Sequence, residues 1–553
     1  MFKRFLSGYQ KRQLKEYLTA YLMIAPATIL IFTFGIFPVG FALYVSLHKW
    51  RIKQGEFRGL INYTKAIDNL AYILLFALAL GALYGVYALI KRVYERIRQG
   101  EAGQKSWLFA IPGAVYAATV LAFVRWTVLL LPEVLGIANK IWGIEKTREL
   151  FMQLLSEAFH APSAHNGWKL FLYLALTAVV MTIILARYSQ LRQNLNQVAD
   201  FMLMWIAAVI SVVLAWFTYS EIAKVYRAAF ESGTDPGIWP QVITIVSGII
   251  LLAAAWQIWQ GASKQSSSWG FWGRLLGAFG LLVSAWLLIG ELPMILASGD
   301  KDLWVGLKVT VFYSLGTVPF QLVFALVLSV LLFQEFWGSE FFRILYFLPY
   351  VTPTVASAAV FRQLFSNRYQ APLNQLLIGL GFDPLQWIRE PEGIFTMLGE
   401  KIGLAVPAWA AGPSLALVVI MIYSIWTYVG YDTVIYLAGL GNISTELIDA
   451  AEIDGAGKWE VFRYITFPLL SPTTYFLSLM AIIGTFKAFG HIWVMRQPEA
   501  LGTVDTFSVV IFTEFFEKLR YGYASALAFV LFAIILSLTY INNKVQGSRV
   551  FYG

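Results

Sequence analysis

The chain has 553 residues, of which 59% are hydrophobic and only 13% are charged, against about 25% charged in an ordinary soluble domain. Apolar runs of about 20 residues, the length that a helix needs to cross the hydrocarbon core, recur along the whole sequence. These runs are continuous, which excludes the polar and apolar alternation of a transmembrane β-barrel. The sequence therefore predicts an all-α, polytopic membrane protein.

The net charge of +9 does not require a nucleic-acid partner, because much of the excess lies beside apolar runs. Basic residues collect in this way at the cytoplasmic ends of membrane spans. The chain has no cysteine, which excludes disulfides, thiolate catalysis and sulfur-ligated metals. The basic residues before the first run and after the second are Lys3, Arg4, Lys11, Arg12, Lys15, Lys91, Arg92, Arg96, Arg98 and Lys105.

About twelve spans are predicted, and the first is a membrane span because no small-residue cleavage site follows it. An even number places both termini on one side, and the basic N-terminus with Lys544 and Arg549 makes that side the cytoplasm. The 365–410 loop is then outside and the 439–468 loop inside. The predicted spans are 20–47, 71–90, 107–131, 168–186, 201–219, 240–259, 272–292, 306–333, 344–364, 411–438, 469–489 and 522–541.

The predicted inside loop contains "ELIDAAEIDGAGKWEVFRYITFP", an unusually polar stretch between two spans. Ser444 or Thr445 can cap a first helix, and Gly455 permits a left-handed turn. A second short helix over 457–466 then runs to Pro468, which suits the first turn of the next span. We expect a helix–turn–helix at the membrane surface that docks on another protein; an ordinary polar loop is the alternative that composition leaves open.

The "GAGKW" sequence at 455–459 is not a phosphate-binding loop. Glu452 stands where the upstream glycine would be needed, and Trp459 stands where a Ser or Thr would meet magnesium. We therefore predict no ATP site on this chain.

The loop resembles the EAA loop of binding-protein-dependent ABC importer permeases, with every interval kept. Asp replaces the usual Glu at 449, and Phe467 replaces a usual Leu. In that family the loop is a coupling helix that docks on a cytoplasmic ATPase. The matching positions are Asp449, Ala450, Ala451, Gly455, Ile465 and Pro468, and the resemblance implies coupling roles for these and for Glu446 and Asp454.

Further segments resemble carbohydrate permeases of the larger maltose-permease and glycerol-phosphate type, namely "YLMIAPATILIFTFGIFPVGFALYVSL", "FRGLINYTKAI", "RILYFLPYVTPTVASAAVFRQLF", "IWTYVGYDTVIYLAGLGNI" and "RYGYASALAFVLFAIILSL". The resemblance implies a type I permease core. Residues 1–67 would hold the cytoplasmic tail, the first span and an outside segment. Residues 68–303 would be an inserted six-helix block, and residues 304–553 the core with its coupling loop at 444–468.

Polar and aromatic residues inside spans are candidates for a substrate path. "YSIWTYVGYDTVIY" and "GTFKAFGHIW" combine aromatic faces with hydrogen-bonding groups, which suits a sugar ring. A membrane-interface belt is the alternative for the aromatic residues, and Lys487 could pair with Asp432. The resemblance and the aromatic faces together point to Trp426, Gly430, Tyr431, Thr433, Thr485 and Phe489 as substrate-binding residues.

The resemblance implies an ATP-driven carbohydrate importer in a bacterial or archaeal cytoplasmic membrane, moving an oligosaccharide or related polyol by alternating access. Its partners would be a second permease, a cytoplasmic ATPase dimer that binds ATP and Mg, an extracytoplasmic substrate-binding protein and membrane lipid. The chain itself would bind no cofactor and no metal, including at "HAPSAH" (160–165), and would catalyse no reaction.

Three alternatives remain. An importer of glycerol-phosphate esters would need cations, for which Lys487 and His491 are the obvious candidates. A membrane-embedded transferase would need paired carboxylates or a metal cluster, and the chain has four histidines with no H-E-x-x-H or G-x-S-x-G motif. A structural subunit would have no substrate path, so Asp432 and Lys487 would tolerate apolar replacement.

Overall fold

The computed structural model describes residues 8–51, 53–99, 104–141, 143–145, 147–187, 197–233, 235–262, 268–290, 292, 295, 298–334 and 337–546. The chain divides into two compact units, one formed by Met1–Asp68 with Leu296–Gly553 and the other by Asn69–Ile295. Lys3, Arg4 and Arg549, which entered the topology prediction, lie outside the described residues. That the second unit is an insertion into a permease core stays a prediction.

The N-terminal part of the first unit is a long helical segment followed by a β-hairpin. The hairpin was not predicted, and it is the one sheet among the described residues. The side chain of Asn62, which follows the hairpin, joins the hairpin to the preceding helix. It donates hydrogen bonds to the carbonyl of Ser46 (2.7 Å), at the end of that helix, and to the carbonyl of His48 (3.1 Å), in the hairpin. The elements are α1 (Gly8–Ile31), a π-helical turn (Phe32–Ile36), α2 (Phe37–Ser46), β1 (His48–Trp50), β2 (Gln54–Phe57) and α3 (Ile61–Ile67).

The regular elements among the described residues of the second unit are all helices. Inside it, α4 packs on α8, α5 packs on α7 and α8, and α9 packs on α10. Gly248 permits the last contact, because a Cβ there would lie 2.6 Å from Ile289. The helices are α4 (Leu70–Arg98), α5 (Ala110–Lys140), α6 (Arg148–His160), α7 (Pro162–Arg187), α8 (Gln197–Ser232), α9 (Ile238–Ala262) and α10 (Ser268–Ile289).

The C-terminal part of the first unit is built around two long helices, α11 and α16, which pack along each other. The remaining α-helices are α11 (Lys301–Phe333), α12 (Ser339–Val351), α13 (Thr354–Leu364), α14 (Pro372–Gly379), α15 (Ile394–Lys401), α16 (Leu415–Gly441), α17 (Thr445–Ile453), α18 (Lys458–Val461), α19 (Phe467–Leu469), α20 (Ser471–Phe486), α21 (Gly490–Met495), α22 (Phe507–Phe512) and α23 (Tyr521–Gln546).

Small residues let α11 and α16 approach closely. A Cβ on Gly316 would lie 2.5 Å from the sulfur of Met421, so a larger residue there would displace the Met421 side chain. Tyr313 and Tyr423 are fully buried beside it and form the centre of the main hydrophobic core. This contact positions the polar side chains of both helices, which are described below.

The multi-pass, all-α prediction is confirmed. Within the part of the chain that the structure describes, ten helices are long and apolar enough to cross a membrane, and two bent helix pairs raise the number to twelve. The predicted spans at 344–364 and 469–489 fall on these bent pairs, whose bends were not predicted. The first bends by 94° between α12 and α13, and the second by 60° between α19 and α20.

Prolines account for both bends. Pro353 lies between α12 and α13 with φ of −54° and ψ of 121°, outside helical geometry, and it has no N–H to continue the helix. Pro468 lies in α19, not in the first turn of the next span as predicted. Pro472 takes that place in α20. The second loop helix also differs from the predicted 457–466, since α18 continues through a π-helical turn (Phe462–Thr466) into α19.

Candidate functional site

A polar cavity of about 160 Å³ lies within the C-terminal part of the first unit. Two of its walls are the facing surfaces of α11 and α16, and the rest come from α12, α20 and α21. Its lining residues are Tyr313, Gln321, Tyr350, Ser424, Tyr428, Tyr431, Asp432, Met480, Ala481, Gly484, Thr485, Ala488 and His491.

Hydroxyl and imidazole groups in and beside the cavity form two separate sets of hydrogen bonds. The Tyr313 hydroxyl donates to Ser424 Oγ at 2.7 Å and lies 2.8 Å from Nε2 of His491. Thr485 Oγ1 donates to Ser314 Oγ at 2.9 Å. All five side chains are buried, and buried polar groups of this kind require partners. They form a preorganised set of donors and acceptors.

Asp432 is the carboxylate among the lining residues. Only 3% of its surface is exposed, and Oδ2 accepts a 2.6 Å hydrogen bond from Nε2 of Gln321, which is equally buried. The proposed alternative pairing with Lys487 is therefore not observed; Lys487 is exposed at the C-terminal end of α20. An ionisable group in a spanning helix is costly to bury and is a functional candidate by default.

Tyrosine rings form the aromatic wall of the cavity. The rings of Tyr350 and Tyr431 are stacked, with centroids 4.6 Å apart and planes at 24°. Tyr428 meets Tyr350 edge-on at 5.9 Å. An aromatic wall next to a few hydrogen-bonding groups suits the apolar and hydroxyl faces of a sugar ring.

The structure brings two of the six predicted substrate residues, Tyr431 and Thr485, to this cavity. Trp426 and Gly430 instead line a separate, apolar groove of about 590 Å³ formed by α11, α12 and α16. The Thr433 hydroxyl donates to the carbonyl of Val429 at 2.7 Å on its own helix.

The sixth residue, Phe489, belongs to an aromatic cluster. Its ring stacks on Trp493 at 5.6 Å and lies 4.5 Å from Phe512. Sequence reasoning noticed Tyr428, Asp432 and His491 but missed Tyr313, Gln321, Tyr350 and Ser424. A glutamine amide within an otherwise apolar span was a signal for Gln321.

The loop at 444–468 forms the predicted helix–turn–helix. Ser444 precedes α17, and Gly455 has a φ of 89°, so the predicted left-handed turn is present. The Gly457 amide then donates to Oε2 of Glu460 at 2.6 Å and starts α18. Of the predicted coupling residues, Ala451, Ile465 and Pro468 are half-buried, and the exposed ones are Glu446, Asp449, Ala450, Asp454 and Gly455.

Large apolar side chains of the same loop are also exposed, which sequence reasoning missed. Ile453 is 87% exposed, and Trp459, Tyr464 and Leu447 are each more than half exposed. Apolar surface surrounded by charged residues marks a protein contact more often than a solvated loop.

The predicted outside loop, 365–410, is held by one buried side chain. Asn374 donates to the carbonyls of Ser366, Arg368 and Leu385, and its Oδ1 accepts from the Leu385 amide and from the Trp387 indole at 2.7 Å. The Asn374 amide thus joins two separate parts of the loop, 366–368 and 385–387. The loop is therefore a structured surface.

The segment between α21 and α22 is held by an ion pair. Arg496 donates to Asp505 through Nε at 2.6 Å and through Nη2 at 2.8 Å. These hydrogen bonds raise the pKa of the Arg496 guanidinium above its ordinary value. The bidentate geometry fixes the turn between α21 and α22.

Comparison with known proteins decides the family. The profile of the family described as "Binding-protein-dependent transport system inner membrane component" matches residues 321–548. The probable ABC transporter permease protein YesP of Bacillus subtilis is 32% identical over 259 residues, which are 46% of this chain and 76% of YesP. The chain belongs to this family. The predicted family resemblance and the assignment as a permease subunit rather than an enzyme are confirmed.

Two further relatives of this permease carry substrate names. The arabinooligosaccharides transport system permease protein AraP of Bacillus subtilis is 28% identical over 44% of this chain and 71% of AraP. The lactose transport system permease protein LacF of Rhizobium radiobacter is 28% identical over 45% of this chain and 78% of LacF. Each of these alignments covers less than half of this chain.

Proposed function

We propose that this permease moves a carbohydrate, an oligosaccharide or related polyol, into the cytoplasm by alternating access. The observation that carries the proposal is the cavity, which is lined by tyrosine rings together with buried hydroxyl, amide and carboxyl groups. Such a combination recognises a ring that has both apolar C–H faces and hydroxyl edges. The names of AraP and LacF, which refer to sugars, support the same class of substrate.

The charge of the cavity favours an uncharged sugar over a glycerol-phosphate ester. The lining includes the acidic side chain of Asp432 and neither lysine nor arginine, so no fixed positive charge faces the cavity to bind a phosphate dianion. Lys487 is exposed and is not among the lining residues. His491 is already hydrogen-bonded to Tyr313. A phosphate ester would need cations that neither residue supplies in this arrangement.

The cavity is smaller than the 300–1,000 Å³ that is usual for small-molecule sites. At about 160 Å³ it cannot enclose an oligosaccharide. We therefore propose that this chain forms part of the site and that a second permease subunit completes it. A sugar chain would then extend along the path between the two subunits.

The energy source is proposed to lie on a partner. The exposed face of the 444–468 loop would dock on a cytoplasmic ATPase dimer, which binds ATP and Mg, and Glu446, Asp449 and Asp454 would face basic groups there. The structured 365–410 loop would face an extracytoplasmic substrate-binding protein. Both termini would be cytoplasmic, in a bacterial or archaeal inner membrane.

The test is co-purification of the tagged chain in mild detergent, followed by sugar uptake into membrane vesicles. We expect an ATPase to travel with the wild-type chain and to be lost from Gly455→Pro, because proline cannot adopt the φ of 89° seen there. Uptake should need both ATP and the binding protein. If no ATPase is recovered under conditions that preserve other membrane complexes, the proposed coupling is wrong.

A further inference from the structure

Helix α6 of the second unit is short and amphipathic, and the function proposed above does not use it. Its 13 residues, Arg148–His160, have a length of about 20 Å at 1.5 Å per residue, which is too short to cross a 30 Å hydrocarbon core. Thr147 caps its start by accepting a hydrogen bond from the Leu150 amide. The helix is therefore a defined element between the two candidate spans α5 and α7.

The apolar face of α6 is only partly covered by the protein. Ala158 is buried against the neighbouring helices, and Leu154 is half-buried. Phe151, Met152 and Phe159 lie next to these residues on the same side at three-, four- and seven-residue spacing, yet they are 46%, 55% and 43% exposed. The opposite face is polar and exposed, with Glu149, Gln153, Ser156, Glu157 and His160.

Ring contacts show that α6 does not continue the line of α7. The Trp126 ring lies 4.7 Å from Trp168 and 6.2 Å from Phe159. In one continuous helix, Phe159 and Trp168 would be about 13.5 Å apart along the axis. The chain instead turns at Ala161, which is extended with ψ of 138°. The C-terminal end of α6 thus lies level with the first turns of α7.

Residues typical of a membrane boundary lie where the C-terminal end of α6 meets α5 and α7. In α7, Trp168 and Lys169 precede an uncharged stretch at 170–186. Trp168 contacts Trp126 of α5, which follows Arg125, the one charged residue between Trp107 and Pro132. Tryptophan and basic residues collect at the boundary between hydrocarbon and headgroups. Because Phe159 contacts Trp126, the C-terminal end of α6 lies at this boundary.

We propose that α6 lies in the membrane interface, with Phe151, Met152 and Phe159 among the upper acyl chains and its polar face in water. This inference rests on the chain being a membrane protein and is independent of what it transports. The helix contains Arg148, Glu149 and Glu157, for a net charge of −1. Attraction to anionic lipid therefore does not drive the contact, and buried apolar area does. The occupant is a neutral bilayer surface.

The chain suits site-directed labelling because it has no natural cysteine. Phe151→Cys, Met152→Cys and Phe159→Cys would each be spin-labelled in the full chain in lipid nanodiscs, beside Gln153→Cys and Glu157→Cys from the opposite face. Ala158→Cys, at a buried site, serves as the protein-covered control. Collisions of each label with oxygen, which partitions into lipid, and with a water-soluble nickel chelate would be measured.

We expect the oxygen-to-nickel collision ratio to be several-fold higher at the three apolar positions than at the two polar ones. It should be unchanged when anionic lipid is added. High nickel accessibility at all five positions would place α6 in water and overturn the proposal. Low accessibility to both reagents at Met152 would mean that a protein surface covers the face, and would also overturn it. If one of these variants does not elute as a monodisperse peak, another takes its place. Ser156→Cys replaces a variant of the polar face, and Leu155→Cys replaces a variant of the apolar face.

Discussion

Asp432 is the residue on which the substrate proposal depends most directly. Its side chain is buried, lines the cavity and accepts a hydrogen bond from Gln321 through Oδ2. Hydrogen bonds to charged groups contribute about 1.5–3 kcal/mol. We therefore expect Asp432→Asn to raise the sugar concentration for half-maximal uptake by about 10- to 100-fold, measured as initial uptake rates in vesicles with the partner subunits present.

Thr427→Val is the matched control for Asp432→Asn. Thr427 is buried in the same helix, and its hydroxyl donates to the carbonyl of Tyr423 at 2.9 Å, away from the cavity lining. Uptake should stay at the wild-type level in this variant. If Asp432→Asn also transports normally, the carboxylate serves only to hold Gln321, and the sugar contacts other lining groups.

The site was predictable from sequence only where a polar residue stood out in an apolar span. Thr485 and Tyr431 were found in this way, and both line the cavity. Thr433 looked equally suitable, but a threonine hydroxyl in a helix can bond to the carbonyl four residues earlier, and here it does. Tyr313 and Ser424 were missed because their meeting depends on the crossing of α11 and α16, which lie more than a hundred residues apart.

Helix α12, the first helix of the α12–α13 bent pair, packs on α16 at Gly430. A substitution at Gly430 therefore tests this packing. A Cβ on Gly430 would lie 1.7 Å from the carbonyl oxygen of Tyr346, so an alanine requires backbone movement. We expect Gly430→Ala to destabilise the fold by about 1–3 kcal/mol, measured as a lower melting temperature of the purified protein. Gly441→Ala at the end of α16, where no atom lies within 4 Å of the added carbon, should melt at or slightly above the wild-type temperature.

The turn between α17 and α18 is the second element that depends on one glycine. A side chain in left-handed conformation costs about 1–2 kcal/mol, and asparagine tolerates it best. We expect Gly455→Val to reduce the amount of co-purified ATPase and Gly455→Asn to retain most of it. Gly457→Ala is the control, because Gly457 has an ordinary φ of −75°. Equal recovery from all three variants would show that the shape of this turn is not needed for docking.

Element positions were predictable where hydrophobic length decides them, and less so where proline geometry does. The ten uninterrupted candidate spans follow from apolar runs alone. The 94° bend between α12 and α13 depends on Pro353 together with the packing of α12 on α16. A proline in an apolar run is compatible with either a kinked span or a broken one. Only the tertiary contacts distinguish these outcomes.

At the scale of the whole molecule, the chain divides into two units, and the first unit is formed by two segments that are far apart in sequence. Both parts of the first unit, Met1–Asp68 and Leu296–Gly553, contact each other: the Asp300 amide donates to the Ala66 carbonyl at 3.1 Å, and the Tyr523 hydroxyl donates to Asp300. The end of the first segment, near Asp68, therefore lies close to the start of the second segment, near Asp300. A block of helices can enter a fold at such a place without disturbing its core, provided that it returns to the same side of the membrane.

That condition gives the last prediction, which concerns topology. Six spans between residues 68 and 303 return the chain to the side it left, so the coupling loop at 444–468 and the N-terminus should share the cytoplasmic side. Ile453→Cys and Arg12→Cys should react with a membrane-impermeant maleimide only after cells are permeabilised, and Trp409→Cys should react in intact cells. All three positions are exposed, so accessibility depends on the side of the membrane alone. If Arg12→Cys and Ile453→Cys react on opposite sides, an odd number of spans separates them. The bent pair of α12 and α13, which lies between these two positions, would then be a re-entrant loop that returns to its own side of the membrane.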